Sequence, residues 1–185
     1  RFATECLAFA NISSGPITAK VHQPQWKERT PRDLGAGWDF DDVRDHYVER
    51  LFRVNVPDLR YSDHDRYVAL GRVITGEVIA QTFGEWRRAR SRCAGGLVWF
   101  LRDLWQGAGW GVIGANGEPK AAYHYMKRAC QPLALHISDE GNSGLYLHVV
   151  NDTASAMIGE AEAVLFKNAA QARRTTTPLT ADALT

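Results

Sequence analysis

The sequence predicts an α/β chain in which a strand–helix–strand unit is followed by antiparallel strands. Arg1–Phe9 is a short, mostly apolar segment typical of a buried strand, and Leu97–Leu101 is a continuous apolar run typical of a strand covered on both faces. A long helical pattern lies between them, which is the order of a βαβ unit. After Pro132, apolar and polar residues alternate as in paired antiparallel strands. These patterns predict two domains, residues 1–131 and residues 132–185.

The helices of the first domain are predicted from capping signals and apolar spacing. Acidic residues between positions 39 and 42 crowd the first turn of one helix, and the segment Asn55–Pro57 ends it. The longest helix starts at Ser62–Asp65, which is similar to a capping box, and ends among the arginines of 87–92. A further helix is predicted from Pro119 to Cys130, because proline is favoured in the first helical turn.

The second domain is predicted to be the start of a β-sandwich. Leu133–Ile137 and Leu145–Val150 alternate around the turn-rich segment Asp139–Gly144, and Ala161–Lys167 is a candidate third strand. The polar, threonine-rich tail Ala169–Thr185 offers little apolar surface and is predicted to be frayed. A complete immunoglobulin-like sandwich takes about 100 residues, so we expect the second domain to be partial.

Charge and hydropathy exclude two classes of partner. The chain has 185 residues, with 22 basic and 21 acidic side chains, a formal net charge of +1 and 45% hydrophobic residues. No run approaches the roughly 18 to 20 apolar residues that a membrane span needs. The arginines of 87–92 are better explained as cations at the negative end of a helix than as a nucleic-acid patch. We therefore predict no membrane and no nucleic-acid partner.

Cofactor and metal signals are weak. Gly109–Gly114 has the spacing GxGxxG, but it runs into another turn, whereas a dinucleotide site needs a strand before it and a helix after it. The six histidines are scattered, and no spacing supports a metal site. We expect neither a cofactor nor a metal. The sequons at Asn11 and Asn151 have meaning only if the protein is secreted.

The cysteines and the first residues bear on the compartment. Cys6, Cys93 and Cys130 are odd in number and lack a CxxC motif, which predicts reduced, mostly buried thiols and mildly favours the cytoplasm. The chain begins at Arg1, without an initiator methionine and without a signal-peptide pattern. We expect it to be a piece of a longer polypeptide whose N-terminal part is missing, so the localisation stays unknown.

Glu5 is the residue that points to chemistry. An ionisable side chain in an apolar strand costs several kcal/mol unless it is paired or functional. At the carboxyl end of a barrel strand it would face the mouth of the active site, and a buried salt bridge is the alternative. Three tryptophans follow the second strand, and aromatic faces of this kind stack on sugars, although each of them could be an ordinary core residue. They are Trp99, Trp105 and Trp110.

These residues resemble glycoside hydrolase family 2, and within it the β-mannosidase-like branch. Phe2–Asn11 is similar to the strand-seven motif, an aromatic residue, any residue, Ser or Thr, then the nucleophilic Glu. Gly96–Trp105 is similar to the strand-eight motif, in which a Gly precedes the run Trp-Gln-Leu-Asn-Asp-x-Trp. Further positions that match the family are Trp110, Pro119-Lys120, Tyr123 and Pro132. The chain departs from the pattern at three positions, Leu7 for Gly, Phe100 for Gln and Arg102 for Asn.

The resemblance implies a fold and an activity. It implies strands seven and eight of a (β/α)8 TIM barrel, followed by a partial immunoglobulin-like β-sandwich. The activity implied is that of a retaining exo-glycosidase that hydrolyses terminal β-glycosidic bonds, and β-mannosides in particular, without a cofactor. Glu5 would be the nucleophile. The substrate-binding residues implied are Trp99, Asp103, Trp105 and Trp110, and Asp103 is as well suited to holding its loop by hydrogen bonds.

One part of the catalytic pair is absent from the chain. In the family the acid/base Glu follows an Asn, and no Asn-Glu dipeptide occurs in this sequence. We therefore expect the acid/base residue to lie outside the chain, and the isolated chain to be inactive. A non-catalytic carbohydrate-binding or scaffold relative of the family would explain the departures at Leu7, Phe100 and Arg102 equally well.

Overall fold

A computed structural model of the protein describes residues 1–6, 40–104, 106–107 and 109–184, without the side chains of Phe40 and Asp41. Ten elements organise these residues. In chain order they are β1 (Ala3–Cys6), α1 (Phe40–Phe52), α2 (Val56–Ser62), α3 (His64–Arg87), β2 (Gly96–Val98), α4 (Ala121–Ala129), β3 (Leu133–Asp139), β4 (Leu145–Asn151), β5 (Met157–Lys167) and β6 (Ala170–Ala181). The strands form three two-stranded sheets, β1–β2, β3–β4 and β5–β6.

The first sheet confirms the predicted α/β order. Strands β1 and β2 are parallel, with Ala3 opposite Gly96 and Cys6 opposite Val98, and the described residues between them include the helices α1, α2 and α3. Parallel strands need such a crossover connection, because their ends lie at opposite edges of the sheet. The carboxyl ends of β1 and β2 therefore meet at one edge.

Helix boundaries follow the capping residues. Asp63 accepts a hydrogen bond from the backbone N–H of Arg66 at 3.1 Å and starts α3 where the sequence predicts. The segment 55–57 ends α1 as expected, but it also starts another helix, α2, which the sequence analysis missed. The Asn55 side chain accepts from the N–H of Asp58 at 3.1 Å, and Pro57 lies in the first turn, where its missing N–H costs no hydrogen bond.

Helix α3 joins two core clusters. The first lies between α1, α2 and α3, and the second lies between α3, α4 and the loop before α4. Helix α3 reaches both because its 24 residues span about 36 Å at 1.5 Å per residue. The first cluster comprises Val48, Val56, Leu59, Tyr67, Val68 and Ile74, and the second comprises Ile79, Val112 and Ala122.

Strand β2 is shorter and more open than predicted. The sequence predicts a strand over Leu97–Leu101 that is covered on both faces, but the strand ends at Val98, and Leu97 and Leu101 are exposed. The chain leaves the sheet because the carbonyls of Phe100 and Leu101 accept hydrogen bonds from Val112 and Ile113, at 3.2 and 2.9 Å. The apolar run is thus shared between a strand and a loop.

The hairpin β3–β4 confirms the predicted antiparallel pair, with Leu133 opposite Asn151 and Asp139 opposite Leu145. It packs on α3, where the ring of His136 lies over Gly84. Arg87, in the last turn of α3, donates hydrogen bonds to the carbonyls of Ala129 and Gln131 and forms an ion pair with Asp152 at 2.6 Å. This arginine ties the ends of α3, α4 and β4 together.

The prediction of a frayed tail is wrong. Residues 170–181 form β6, which pairs antiparallel with β5 along its whole length, and β5 starts at Met157 rather than Ala161. The backbone groups that face β5 are satisfied by cross-strand hydrogen bonds, and β-branched threonines suit an extended strand even where little surface is buried. An ion pair between Arg174 and Glu162 at 2.9 Å crosses the hairpin. Low apolar content therefore indicated an exposed ribbon and not a disordered tail.

Asn151 anchors the second hairpin to the first. It is 0% exposed, and its side-chain nitrogen donates to the carbonyls of Ser155, Ala181 and Asp182 at 2.9, 3.2 and 2.9 Å. Its side-chain oxygen accepts from the N–H and the hydroxyl of Thr153 at 3.1 and 2.6 Å. This asparagine belongs to a glycosylation sequon, and in the folded chain its amide is enclosed and bonded.

We expect Asn151→Ala to detach β6 locally, because three carbonyls lose their donor at once. Each buried polar group left without a partner costs about 1–3 kcal/mol. Hydrogen exchange of the complete protein should show faster exchange of β6 amides by at least about 10-fold, which corresponds to roughly 1.4 kcal/mol. Asn142→Ala, at an exposed position of the β3–β4 turn, is the control and should leave β6 unchanged. Equal protection in both variants would contradict the anchoring role.

Candidate active site

The candidate site lies at the carboxyl edge of the β1–β2 sheet. Glu5 is on β1 and is exposed, and Trp99 follows β2 directly. The two strand ends are joined by a hydrogen bond from the N–H of Trp99 to the carbonyl of Cys6, at 3.2 Å. Two of the predicted site residues are thus brought to the same edge by parallel pairing. Their positions leave both side chains accessible from solvent.

Cys6, the neighbour of Glu5, is turned away from this edge. Its side chain is buried, and the thiol donates to the carbonyl of Leu97 at 3.2 Å. Burial, and secondarily the nearby Cys93, raise the pKa of the Cys6 thiol. The thiol is therefore kept protonated, and only a thiolate is a strong nucleophile. All three cysteines are free, as predicted, but only Cys6 is buried.

An aromatic row extends from the strand end into the protein. Trp99 is 45% exposed, and its ring meets that of Phe100 edge to face at a centroid distance of 6.0 Å. Phe100 in turn meets Trp110 at 6.4 Å, and Trp110 packs on the first core cluster. The peptide bond between Trp99 and Phe100 is cis. Trp99 therefore offers an accessible aromatic face, whereas Trp110 supports the row from inside.

Asp103 is enclosed by the loop that follows Trp99. The residue is 8% exposed, and its carboxylate forms an ion pair with Lys120, which is 1% exposed. The other carboxylate oxygen accepts a hydrogen bond from the N–H of Gly111 at 2.8 Å. The backbone N–H of Asp103 donates to Ile113 at 3.0 Å, and that of Lys120 donates to Val112 at 2.9 Å. The pair thus fastens the loop to the segment before α4.

The glycine motif at 109–114 serves this arrangement. A Cβ atom at Gly111 would lie 2.5 Å from a carboxylate oxygen of Asp103, and one at Gly109 would lie 2.6 Å from it. Real Cβ atoms do not approach so closely, so these positions require glycine. The segment leads into a turn and then into α4, not directly into a helix as in a nucleotide site. Its glycines are explained by close packing on Asp103.

The remaining predicted positions are not part of the ion pair between Asp103 and Lys120. Trp105 and Leu7 lie outside the described residues. Arg102 is exposed, and its guanidinium donates to the carbonyl of Ala115 at 2.6 Å. Lys120 matches the family pattern, but its pairing with Asp103 was not predicted from the sequence. A lysine after proline gives no local sign of burial, so the family match was the only available signal.

Among the described residues, no group of three or more His, Cys, Asp and Glu side chains is arranged to hold a metal ion. Within the same part of the chain, no helix has both the length and the apolar character needed to cross a membrane.

Comparison with known proteins gives sequence relatives and structural neighbours. β-Mannosidase B of Aspergillus niger is 28% identical over 114 residues, which cover 60% of this chain and 14% of that protein. β-Mannosidase B of Emericella nidulans is 29% identical over 106 residues, which cover 55% of this chain and 13% of that protein. No protein-family model matches the chain.

The structural neighbours share the fold at lower sequence identity. A β-D-mannosidase from Dictyoglomus thermophilum superposes with a TM-score of 0.68 at 19% identity, over 100% of this chain and 23% of that chain. An exo-chitosanase from Amycolatopsis orientalis superposes with a TM-score of 0.73 at 17% identity, over 99% of this chain and 22% of that chain. The described α/β arrangement therefore matches a part of large glycosidases.

The sequence relatives are β-mannosidases and the structural neighbours are a β-mannosidase and an exo-chitosanase, so the chain is similar to glycoside hydrolases. The similarity is to β-mannosidase-like enzymes, of the glycoside hydrolase family 2 type that the motifs around Glu5 and Trp99 indicated. The chain spans about 14% of the length of the curated relatives it matches.

Proposed function

We propose that the chain supplies the nucleophile side of a retaining β-glycosidase site, and that the complete protein hydrolyses terminal β-mannosidic bonds. Residues 1–131 would form strands seven and eight of a TIM barrel with their helices, and residues 132–185 the start of an immunoglobulin-like sandwich. The observation that carries the proposal is the meeting of Glu5 and Trp99 at one carboxyl edge of a parallel sheet, because active sites of α/β barrels lie at that edge.

The chemistry assigns Glu5 a single step in each half-reaction. A carboxylate oxygen of Glu5 attacks the anomeric carbon, and the glycosidic C–O bond breaks as the new bond forms. A second carboxylic acid, outside this chain, protonates the departing oxygen. Water, deprotonated by that same residue, then attacks the anomeric carbon and releases Glu5. Retaining enzymes hold the two carboxyl groups about 5 to 5.5 Å apart, so the partner must come from another strand end.

The remaining residues form the pocket around this step. The exposed face of Trp99 would stack on the apolar face of the sugar bound for cleavage. Trp110 supports Trp99 through Phe100, and Trp105 is proposed to contact substrate. Asp103 has both carboxylate oxygens engaged within the protein, which favours a bracing role for it over direct contact with sugar.

The proposal is tested by trapping the glycosyl-enzyme. The complete protein is incubated with a mannosyl fluoride that carries fluorine in place of the hydroxyl at carbon two, and the labelled peptide is mapped by mass spectrometry. Fluorine at that carbon slows hydrolysis of the intermediate, so the label should be found on Glu5. A label on another residue would overturn the assignment of the nucleophile.

The same experiment separates the alternative function. A non-catalytic carbohydrate-binding relative would bind mannosides without turnover and without label. We would favour that alternative if the mannosyl fluoride and the corresponding glucosyl and galactosyl fluorides gave no label while calorimetry detected mannoside binding. Glu5 would then be a structural carboxylate. The departures at Phe100 and Arg102 are the observation that keeps this second candidate under test.

A further inference from the structure

Strand β2 has three residues, and among the described residues it pairs with β1. At the amino end of β2, the N–H of Ala3 donates a hydrogen bond to the carbonyl of Gly95 at 3.0 Å. At its carboxyl end, the N–H of Trp99 donates to the carbonyl of Cys6 at 3.2 Å. Hydrogen bonds within a sheet fix the strand in the plane of the sheet and hold it less firmly across that plane. The position of β2 perpendicular to the sheet, and with it the position of Trp99, therefore depends on the side chains packed against the strand.

Two aromatic rings press on the start of β2. A Cβ atom at Gly96 would lie 2.7 Å from Cζ3 of Trp86, so the indole rests directly on the strand backbone. A Cβ atom at Gly95 would lie 2.6 Å from Cε1 of Phe2, which is the corresponding contact from the β1 side. Glycines at both positions allow the rings to approach closer than any side chain would permit.

Trp86 is itself firmly placed. It lies in the last turn of α3, and its ring meets that of Phe83 edge to face at a centroid distance of 5.3 Å. The next residue, Arg87, is fixed by its bonds to Ala129, Gln131 and Asp152. At the other end of β2, Val98 packs on the second core cluster. The strand therefore packs against the Trp86 indole at its first residue and against the second core cluster at its last.

We propose that Trp86 is a positioning residue. It fixes the position of β2 perpendicular to the plane of the sheet and, through the strand, the position of Trp99 relative to Glu5. This inference rests on the proposed function for its catalytic consequence. Trp86 packs on the amino end of β2, opposite the edge that carries Trp99, so it acts through the strand and not by contact with sugar.

The test is a double-mutant cycle in the complete protein with Trp86→Ala, Gly96→Ala and the pair. The rate constant for trapping by the mannosyl fluoride is measured per active molecule, counted by the burst of released leaving group. A misplacement of about 1 Å costs on the order of 100-fold, so each single variant should trap about 100-fold more slowly. The pair should be no slower than Trp86→Ala alone, because the added methyl then occupies the space left by the indole.

Two further variants separate positioning from stability. Trp86→Phe keeps an aromatic ring on Gly96 and should recover most of the rate. Val68→Ala removes a buried side chain of the first core cluster from the same helix and should destabilise the protein without changing the rate per active molecule. An unchanged rate in Trp86→Ala, or an equal loss in Val68→Ala, would overturn the inference while leaving the proposed function intact.

Hydrogen exchange tests the effect of Trp86 on β2 independently of activity. The N–H of Trp99 donates to the carbonyl of Cys6 and should exchange at least about 10-fold faster in Trp86→Ala than in Val68→Ala. If the unsubstituted protein shows neither turnover nor trapping, the proposed function fails. The exchange rate of the Trp99 amide still decides whether Trp86 fixes the position of β2. Equal protection of the Trp99 amide in Trp86→Ala and in the unsubstituted protein would overturn the inference.

Discussion

Glu5→Ala is expected to lower the turnover of aryl β-mannosides by the complete protein at least about 10⁴-fold, because no other group can form the glycosyl-enzyme bond. Substrate affinity should change little, since Trp99 and the rest of the pocket remain. Removal of the carboxylate also leaves space for a small anion. Added azide should therefore restore turnover and yield the mannosyl azide of inverted anomeric configuration, which nuclear magnetic resonance identifies.

The control for this prediction is Glu160→Ala, which removes an exposed carboxylate from β5. It should leave turnover within about twofold of the original value, as is usual for surface substitutions. Substantial activity in Glu5→Ala without azide would refute the assignment of the nucleophile. A product azide of retained configuration would refute the single-displacement geometry expected once Glu5 is absent.

Asp103→Ala is expected to be the most destabilising substitution near the site. It removes the carboxylate that pairs with the buried charge of Lys120 and that accepts from the N–H of Gly111. Breaking a buried ion pair on one side typically costs about 3–5 kcal/mol. We expect a loss of this size in the free energy of unfolding of the complete protein, measured on the transition that exposes Trp99 and Trp110 by tryptophan fluorescence.

Two comparisons make this second prediction specific. Replacing both partners, as Asp103→Leu with Lys120→Met, should recover most of the loss, because apolar pairs often substitute for buried ion pairs. Glu162→Ala breaks the exposed pair with Arg174 and should cost less than about 1 kcal/mol. If Asp103→Ala costs no more than Glu162→Ala, the buried pair does not brace the loop.

Local patterns in the sequence predicted a large part of the fold. The cap at Asp63, the alternation in β3 and β4 and the strand–helix–strand order all depend on residues within a few positions of one another. Such short-range preferences act before any tertiary contact forms. The relationship to β-mannosidases was also predicted from short motifs, because each motif keeps its spacing along a single strand or loop.

Two of the errors, the length of β2 and the frayed tail, share a physical cause. The length of β2 was overestimated because the carbonyls of Phe100 and Leu101 bond to Val112 and Ile113, which are distant in sequence. The tail was predicted to be frayed because its pairing with β5 cannot be inferred from its own composition. In each case the backbone found its hydrogen-bond partners in another segment, and single-segment patterns do not identify that segment.

The sequence alone predicted the kind of chemistry, because a glutamate on one strand and a tryptophan after the next strand are groups that can act on a sugar. The tertiary structure decided what each group can reach. Parallel pairing brings Glu5 and Trp99 to one edge, whereas burial encloses Asp103 with Lys120. Residue type sets the reactivity of a side chain, but its exposure and partners depend on contacts between segments far apart in the chain.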